Sequence, residues 1–567
     1  MTSISAGRYW LLCCLGIVCA AAILRFSHLG DQDFGVDEIL HVYAAQELLQ
    51  GNGPLLPSGY SYERSLPYSY LVAITGLVSG FTELTLRIPS AILGVVVVFF
   101  VYWMTQRWFS PEAGLVAAFL TAFSPLEIAH SREVRMYMLF QLLFLLITFL
   151  FYEGFEASSP RGDRPSASSL IGQWSRMFEV RPFYLLSAGL IFFLALGIHK
   201  LILPSMSGLI GYVLAMGVVG GMVPSIPPPI RQKYIGSALL LIVGAVVGIL
   251  LFPDLVAKLV AIIDGPLSWG QDNADNWQYY RWLLLDEYPI IFGGWAIFLL
   301  YSLIQHGKAG LLLVCAFVIP FVFHSIVFPM KSYRYFLYVL PFLYISAGIG
   351  FVGLIKSLCS VGNSFNAQVG LPKSLWQALS LLVVGGVILG TLINMPWFTR
   401  TVKDFSRGYE SPHVTDVQHH HWKNAMQYIA QHQKEGDVII SGSAIHTKHY
   451  GATQPVYAMN KVRLQLNMER NLQDAQGNIV DYASGAVILK DLEDMRKVIK
   501  DNPSGWVMTY LWRGERFWNY PDKPISLTGI FSNEVIRYLE THLERRKIAG
   551  SPAIVVWRWM HSADSKL

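Results

Sequence analysis

Charged side chains are scarce in this chain of 567 residues. Asp, Glu, Lys and Arg make up 14% of the sequence, whereas an average soluble protein contains about 25%. Hydrophobic residues make up 53%. So much apolar surface cannot be buried in one soluble core, and the composition also excludes a disordered or collagen-like chain. The sequence therefore predicts an integral membrane protein.

Cysteine, basic runs and nucleotide-binding motifs are also lacking. All five cysteines lie at or before residue 359, without the spacing of metal ligands, so we expect no disulfide in the later part of the chain. The net charge is only +5, and the chain has no run of Lys or Arg, which argues against nucleic acid as a partner. The tail contains neither a GxGxxG nor a Walker A sequence.

Eleven apolar runs are long enough to cross a bilayer, which takes about 17–25 residues. The first follows Arg8 and has no cleavage site after it, so we expect it to be retained. A shorter run, 66–81, contains Pro67 and several polar residues and is either a crossing or a re-entrant helix at the outer surface. The eleven runs are 9–26, 88–106, 113–129, 136–152, 183–199, 201–222, 234–252, 289–305, 309–328, 335–355 and 375–395.

The charge of the loops favours the alternative in which 66–81 does not cross the membrane, because Lys and Arg accumulate on the cytoplasmic side. If 66–81 does not cross, the basic loops 153–182 and 231–233 lie inside and the acidic stretch 31–38 lies outside. Eleven crossings from a cytoplasmic N-terminus then place the C-terminal tail outside. A crossing at 66–81 would invert every later loop.

The tail differs in composition from the rest. Residues 396–567 carry 40 charged side chains in 172 positions, whereas residues 1–395 carry only 41. We therefore predict a transmembrane domain over 1–395, with 27–87 as its first outside loop, and an extracytoplasmic α/β domain over 396–567. The predicted strands of the tail are 438–441, 486–489, 506–510 and 553–557, and its predicted helices are 421–434, 492–502 and 534–547.

The first outside loop carries the strongest chemical signal. Asp31, Asp33, Asp37, Glu38 and His41 lie within eleven residues just after a crossing. Carboxylates beside a bilayer are costly unless they are solvated, paired or used. The loop is either a solvated surface or a functional site. The apolar residues on both sides of the Asp37-Glu38 pair favour the functional site.

Two later clusters contain cations on the same predicted face. Glu63 and Arg64 form either a surface ion pair or the rim of an active site. The segment 130–137 includes Arg132 and Arg135 on a side where positive charge is disfavoured. An anionic phosphate, or nearby carboxylates, would offset that charge.

Three more cations are predicted to lie outside. Lys200, Lys331 and Arg334 either extend to lipid headgroups or take part in the same site. Carboxylates and scattered cations on one membrane face suit a reaction that deprotonates one group and expels an anion.

Two other patterns are weaker. The run His419–His421 has no carboxylate or cysteine to complete a metal site. The aromatic stretch Trp269–Trp282 is either an interfacial belt or a platform for a sugar ring.

Several of these motifs resemble those of the GT-C superfamily of membrane glycosyltransferases. The likeness covers about residues 8–395 and is greatest to the branch of the protein O-mannosyltransferases and lipid A aminoarabinose transferases. Val36–Glu38 resembles the first-loop Asp-Glu motif of that branch. Tyr62–Tyr68 is similar to its Glu-Lys-Pro-Pro-Leu-Tyr stretch, with Arg for Lys and Ser for the first Pro. Further similar stretches are Ser131–Tyr137, Arg87–Ala91 and Arg334-Tyr335.

The resemblance implies a GT-C fold and an inverting transfer from a polyprenyl-phosphate-linked sugar. Asp37 would be the base that takes the proton of the acceptor hydroxyl, and Glu38 would orient it or the sugar. The donor phosphate would be held by Arg64, Arg135, Lys200 and Arg334. The implied substrate-binding residues are Glu63, His41, Arg132, Glu133, Tyr137, Lys331 and Tyr335.

The resemblance also bears on cofactors, partners and location. It implies no cofactor and no metal, although Glu133 leaves a divalent ion open. The acceptor would be a lipid, a glycan or a protein, in the cytoplasmic membrane of a bacterium. The tail does not resemble the β-trefoil of eukaryotic O-mannosyltransferases, so its role stays unassigned.

Two other classes remain as alternatives. A transporter or flippase for a lipid-linked sugar would also need polar groups, but these cluster on one face and no inverted repeat is visible. A non-catalytic binder of such a lipid is the other alternative, against which the Asp37-Glu38 pair argues.

Overall fold

In the computed structural model, a largely helical part is followed by a part built on a β-sheet. The structure describes residues 3–156, 179–251, 253–254, 276–328, 332–369, 395–407, 421–511, 530–551 and 553–561, together with single positions between 372 and 390. Some of the sequence predictions concern residues outside these ranges. They are residues 269–275 of the aromatic stretch, the histidines at 419–420, and most of the apolar run 375–395 and of the loop 153–182.

The helical part begins with seven helices, of which α2 and α3 lie within the first outside loop. They are α1 (Ser3–Phe26), α2 (Val36–Gln50), α3 (Leu66–Ser79), α4 (Glu83–Trp108), α5 (Pro111–Phe123), α6 (Pro125–Ser131) and α7 (Tyr137–Phe155). The following helices are α8 (Pro182–Ile198), α9 (Ile202–Ser205), α10 (Ser207–Met222), α11 (Pro228–Leu251), α12 (Asn276–Glu287), α13 (Pro289–Gly293), α14 (Trp295–Val322), α15 (Leu340–Val369) and α16 (Pro396–Ser406). A π-helical turn, Phe323–Val327, and two 3₁₀ turns, Tyr333–Tyr335 and Leu337–Val339, lie between α14 and α15.

Seven helical stretches of the described chain are long and apolar enough to cross a membrane, and the bent pair α5–α6 makes an eighth. The chain is a multi-pass helical membrane protein. The predicted run 183–199 forms the shorter helix α8, which has 17 residues. The count of eleven crossings itself stays a prediction, because the run 375–395 is not described as a continuous element. The seven stretches are Arg8–Phe26, Glu83–Trp108, Tyr137–Phe155, Ile202–Met222, Pro228–Leu251, Trp295–Val327 and Leu337–Val361.

The stretch Trp295–Val327 contains a chain reversal. Gly307 has φ 50° and ψ −109°, which is not a helical conformation. A Cβ on Gly310 would lie 2.1 Å from the carbonyl oxygen of Ser302. In a continuous helix, residues eight apart are about 12 Å from each other. The stretch is therefore two helices side by side, which agrees with the two separate runs predicted at 289–305 and 309–328.

Helix α3 is too short to cross a bilayer. Its 14 residues span about 21 Å at 1.5 Å per residue, against a hydrocarbon core of about 30 Å. Tyr68 and Val72 on one face are buried, while Ile74 and Leu77 on the other are exposed. These features favour the alternative in which 66–81 lies at the membrane surface.

A sharp bend after α5 places the segment 130–137. Ser124 accepts a hydrogen bond from the backbone nitrogen of Glu127 at 3.3 Å, and Pro125 occupies the first position of α6. A capping serine followed by proline ends one helix and starts the next. The axes of α5 and α6 consequently differ by 60°.

The tail contains one six-stranded sheet. Its order is β3-β2-β1-β4-β6-β5, with the pairs among β1 to β4 parallel and the pairs β4–β6 and β6–β5 antiparallel. The strands are β1 (Val438–Ser441), β2 (Val456–Ala458), β3 (Val487–Ile488), β4 (Ser504–Tyr510), β5 (Glu544–Arg546) and β6 (Ile554–Met560). The accompanying helices are α17 (Trp422–His432), α18 (Ala444–His449), α19 (Lys461–Arg470), α20 (Leu492–Asp501) and α21 (Asn533–His542).

The tail is therefore an α/β unit, as the sequence predicts. All four predicted strands and all three predicted helices are present, with ends that move by a few residues. The prediction 534–547 is wrong at its end, because α21 stops at His542 and Glu544–Arg546 form β5. Strands β2 and β5 have only three residues each and were not predicted. Helix α16 packs against α5 and α6 instead of the sheet, and Trp397 in it is buried. The predicted boundary at residue 395 stays a prediction.

The tail packs closely against the first outside loop. The backbone nitrogen of Phe34 donates to the hydroxyl of Tyr450 at 2.6 Å, and His446 donates to the carbonyl of Phe34 at 3.0 Å. Lys423 forms an ion pair with Glu83 at 2.7 Å. Ile445, Leu466, Tyr482 and Ala483 belong to the same buried apolar cluster as the membrane helices.

Candidate active site

The first turn of α2 is held by a buried ion pair. Arg87 of α4 donates from Nε to Oε1 and from Nη2 to Oε2 of Glu38, both at 2.9 Å. Glu38 also accepts from the backbone nitrogens of Val134 and Gly35, each at 2.7 Å. Its side chain is only 2% exposed. Glu38 thus joins the start of α2 to the side chain of Arg87 and to the backbone of Val134, and its carboxylate is shielded from solvent.

Asp37 lies on the open side of the same turn. Its Oδ2 accepts from Arg334 at 3.0 Å and lies 3.3 Å from Nη2 of Arg135. Its side chain is 22% exposed. Oδ1 accepts no hydrogen bond from the described residues. One oxygen of this carboxylate is therefore anchored by two guanidinium groups, and the other is available.

Arg135 is the buried centre of the arginine cluster. It donates to the carbonyl of Asp37 at 3.2 Å and to the hydroxyl of Tyr137 at 3.2 Å, and its guanidinium carbon lies 5.4 Å from the Tyr137 ring. The hydroxyl of Tyr62 is 3.5 Å away. These contacts fix Arg135, which is 1% exposed, as a support for Asp37.

Two of the predicted phosphate-binding cations are exposed. The side chains of Arg64, just before α3, and of Lys200, just after α8, form no hydrogen bond or ion pair with any described residue. Arg64 is still close enough to Asp37 and Arg135 to interact with them electrostatically. Arg64 is therefore available to bind an anion beside Asp37, whereas the place of Lys200 in the phosphate site stays a prediction.

The arginines keep Asp37 ionised. Burial by itself would raise the pKa of Asp37, but Arg135, Arg334, Arg64 and Arg463 together bring it well below its usual range. Burial and the same positive field, from Arg64, Arg135 and Arg334, lower the pKa of His199 to about 3. At neutral pH the site therefore contains a carboxylate and a neutral imidazole.

This electrostatic arrangement predicts a flat pH profile for these two groups. Asp37 stays ionised and His199 neutral from about pH 5 to pH 8. We expect log kcat/KM for any substrate to show no limb from Asp37 in this range. The measurement is the pH profile of wild type beside Asp37→Glu, and a limb that the Glu variant displaces would contradict the expectation.

The remaining predicted site residues are mostly buried. His41 is 0% exposed and its Nδ1 is hydrogen-bonded to Ser69 at 2.9 Å. Burial, and then Arg135, lower the pKa of His41 well below the ordinary value. Arg132 donates to the carbonyls of Arg25, Ser27 and His28 at 2.6–2.9 Å. Arg132 therefore caps the end of α1, and its role in substrate binding stays a prediction.

Four further predicted residues are placed as follows. Tyr137 and Tyr335 are buried beside Arg135 and Arg334. Glu133 is 4% exposed and lies 3.3 Å from Nδ1 of His130. Glu63 is exposed and accepts from Ser61. Lys331 lies outside the described residues.

Besides His199, sequence reasoning missed two contributors to this site. Arg87 appears in the sequence only as part of a family-like stretch, without a partner. Arg463, which interacts electrostatically with Asp37, comes from the tail and is 426 positions further along the chain. Its proximity depends on how the tail packs on the first loop, for which the sequence carries no signal.

The described residues contain no group of three or more His, Cys, Asp or Glu side chains that could hold a metal ion. The carboxylate nearest to a predicted metal position, Glu133, faces a histidine instead of a second carboxylate. The expectation of a metal-independent site stays a prediction.

Comparison with solved structures identifies the architecture. ArnT from Cupriavidus metallidurans bound to undecaprenyl phosphate matches with a TM-score of 0.52 and 11% identity over 98% of each chain. The archaeal oligosaccharyltransferase AglB from Archaeoglobus fulgidus, in complex with an inhibitory peptide and a dolichol-phosphate, matches with a TM-score of 0.58 and 12% identity. That match covers 89% of this chain and 70% of AglB. The chain has the GT-C fold of membrane glycosyltransferases.

Part of the sequence also matches one family of this superfamily. Residues 63–223 match the family described as dolichyl-phosphate-mannose-protein mannosyltransferase. This stretch includes Arg64, Arg135 and Lys200, and it begins after Asp37. No curated protein matches the sequence significantly. The GT-C fold that the motif resemblance implies is thus confirmed.

Proposed function

We propose that this protein is an inverting glycosyltransferase. It moves a sugar from a polyprenyl-phosphate-linked donor to an acceptor hydroxyl at the outer face of the cytoplasmic membrane of a bacterium. The observation that supports this most strongly is the geometry of Asp37. Its Oδ2 is anchored by Arg334 at 3.0 Å, its Oδ1 is available, and the exposed cation Arg64 is nearby.

Each group has a defined step in this reaction. Asp37 Oδ1 takes the proton of the acceptor hydroxyl while the hydroxyl oxygen attacks the anomeric carbon. The bond between that carbon and the phosphate oxygen breaks, through an oxocarbenium-like state. The polyprenyl phosphate leaves as an anion, which Arg64 and Arg334 stabilise by charge-assisted hydrogen bonds. The attack occurs opposite the leaving group, so the anomeric configuration inverts.

Arg334 links donor binding to the strength of the base. In the structure its guanidinium is bonded to Asp37, and this contact lowers the pKa of that carboxyl. A donor phosphate that draws Arg334 toward itself weakens this contact. The pKa of Asp37 then rises, so the carboxylate becomes a better base when the donor is in place.

The same proposal covers cofactors, topology and partners. The reaction needs no metal, because arginines neutralise the leaving phosphate in place of a divalent ion. The N-terminus is cytoplasmic and the tail is outside, in the arrangement that the loop charges favour. The similarity to ArnT, whose matching structure is bound to undecaprenyl phosphate, supports a polyprenyl phosphate as the lipid carrier.

Arg334→Ala tests the phosphate contact. Loss of a charge-assisted hydrogen bond costs about 1.5–3 kcal/mol, so we expect the KM for a polyprenyl-phosphate sugar to rise about tenfold to a hundredfold. Arg334→Lys keeps the charge and should lose less. The measurement is transfer from a radiolabelled polyprenyl-phosphate monosaccharide at varied donor concentration. An unchanged donor KM in Arg334→Ala would remove Arg334 from the phosphate site.

A further inference from the structure

A pocket lies at the carboxyl edge of the tail sheet. The last residues of the four parallel strands all line it: Ser441, Ala458, Ile488 and Tyr510. The connection from β1 leads to β2 on one side, whereas β4 pairs with β1 on the other side. In open sheets with parallel strands, ligands bind at such a reversal of strand order, outside the carboxyl ends of the strands.

Among the polar side chains that line this pocket, Arg463 is the one whose guanidinium donates no hydrogen bond to the described residues. The carboxylate of Asp481 accepts from Ser484 at 2.7 Å and from Asn467 at 3.2 Å. Asn460 donates to the carbonyl of Gly442 at 2.9 Å. In contrast, the half-buried guanidinium of Arg463 forms no hydrogen bond or ion pair with the residues that the structure describes. Asp481 and Asp37 interact with this guanidinium electrostatically. A partly desolvated guanidinium whose donors are not used in hydrogen bonds is a binding site for an anion.

Contacts connect the lining of the pocket with the first loop, which carries Asp37. Ser443 lines the pocket and is hydrogen-bonded to Nδ1 of His446 at 2.7 Å, and Nε2 of His446 donates to the carbonyl of Phe34 at 3.0 Å. Phe34 is three residues before Asp37. In addition, Tyr482 follows the lining residue Asp481, and its ring lies 6.1 Å from that of Tyr60 in the first loop.

We propose that this pocket is the acceptor site, and that Arg463 binds an anionic group of the acceptor, a phosphate or a carboxylate. The proposal rests on the glycosyltransferase function proposed above. In an inverting transfer, the acceptor and the leaving phosphate occupy opposite sides of the anomeric carbon. The cations Arg64 and Arg334 approach Asp37 from the helical part of the protein, whereas Arg463 approaches it from the tail. The tail thereby delivers the acceptor hydroxyl to the available oxygen of Asp37.

The test compares substrate dependence in Arg463→Ala and in a control on the same helix. Transfer is measured from a radiolabelled polyprenyl-phosphate sugar to a membrane extract, with the amount of extract and of donor varied separately. We expect Arg463→Ala to raise the apparent KM for the extract about tenfold or more and to leave the donor KM unchanged. Lys461→Ala removes an exposed cation from the start of α19, outside the pocket lining, and should change neither.

The nature of the anion is tested by competition. Inorganic phosphate and acetate are added separately to wild type and to Arg463→Ala. If phosphate competes with the extract for the wild-type protein but not for Arg463→Ala, the acceptor carries a phosphate. If acetate does so, the acceptor carries a carboxylate. Competition that is equal in both proteins, or absent with both anions, overturns the proposal.

A second variant tests the acceptor site if Arg463→Ala does not fold. Asn460→Asp places a carboxylate beside Arg463, neutralises it, and should also raise the acceptor KM. An extract KM equal to that of wild type in this variant overturns the acceptor site alone, because donor use continues. Absence of transfer by the wild-type protein contradicts the proposed function itself, and the two failures are therefore distinguishable.

Discussion

Asp37→Asn is expected to reduce sugar transfer about a hundredfold to ten-thousandfold, the usual contribution of a positioned general base. The amide is almost isosteric with the carboxylate, so it can still accept hydrogen bonds from Arg334 and Arg135. It cannot take the proton of an acceptor hydroxyl. The measurement is the initial rate of transfer from a radiolabelled polyprenyl-phosphate sugar by protein in nanodiscs.

The matched control for this variant is Asp31→Asn. Asp31 is in the same loop, its side chain is 61% exposed, and among the described residues it pairs with the exposed His28 alone, at 2.6 Å. The same chemical change there should leave transfer close to wild type. The donor KM offers a second comparison, because removal of the negative charge of Asp37 weakens its contact with Arg334 and makes that guanidinium more available to the donor phosphate. We expect the donor KM of Asp37→Asn to stay equal or fall. Wild-type transfer by Asp37→Asn would remove this residue as the base.

Arg87→Ala is expected to destabilise the start of α2 by about 3–5 kcal/mol, the cost of breaking a buried ion pair. The change leaves Glu38 as a buried charge without its guanidinium. It also removes donors from the carbonyls of Leu29, Gln32 and Asp33, which Arg87 contacts at 2.8–3.1 Å. The first loop then loses the element that holds it against α4.

Hydrogen exchange of the α2 amides measures this effect locally. A loss of about 3–5 kcal/mol corresponds to exchange that is faster by about a hundredfold to a few thousandfold. Arg64→Ala, measured without donor, is the control, since its side chain forms no hydrogen bond or ion pair with the described residues. Exchange of α2 that stays at the wild-type rate in Arg87→Ala would show that the pair does not support this helix.

Much of the site could be predicted from the sequence, because its residues stand out chemically. Asp37 is a carboxylate among apolar neighbours just beyond a crossing, and Arg64, Arg135 and Arg334 are cations on a face where cations are disfavoured. The structure brings Asp37, Arg135 and Arg334 into direct contact and leaves Arg64 nearby. Their shared predicted face indicated that they could meet, although Arg132 lies on the same face and contacts the end of α1 instead.

The sequence could not predict which carboxylate of the Asp37-Glu38 pair is buried and which is accessible. Successive residues at the start of a helix point about 100° apart, so Asp37 and Glu38 face different surroundings. Which of them faces the interior depends on Arg87, 49 positions away from Glu38. The same limit applies to Arg132, whose partners are the carbonyls at the end of α1. The sequence does not show which backbone carbonyls will accept hydrogen bonds from a given side chain.

The contribution of the tail was also beyond the reach of the sequence. Its strands β1 and β4 were visible as apolar runs, but the three-residue strand β2 is too short to show a period. Without β2 the order of the sheet, and therefore its carboxyl edge, could not be worked out. Arg463 then had no reason to be placed near Asp37.

The most direct test of the proposed transfer follows both products of the reaction. Purified wild-type protein in nanodiscs is incubated with radiolabelled undecaprenyl-phosphate monosaccharides and a membrane extract. We expect one free undecaprenyl phosphate for each sugar transferred, with the anomeric configuration of the transferred sugar inverted relative to the donor. Donor that binds or crosses the bilayer without any cleavage of the sugar–phosphate bond, or a product with retained configuration, would contradict the proposed function.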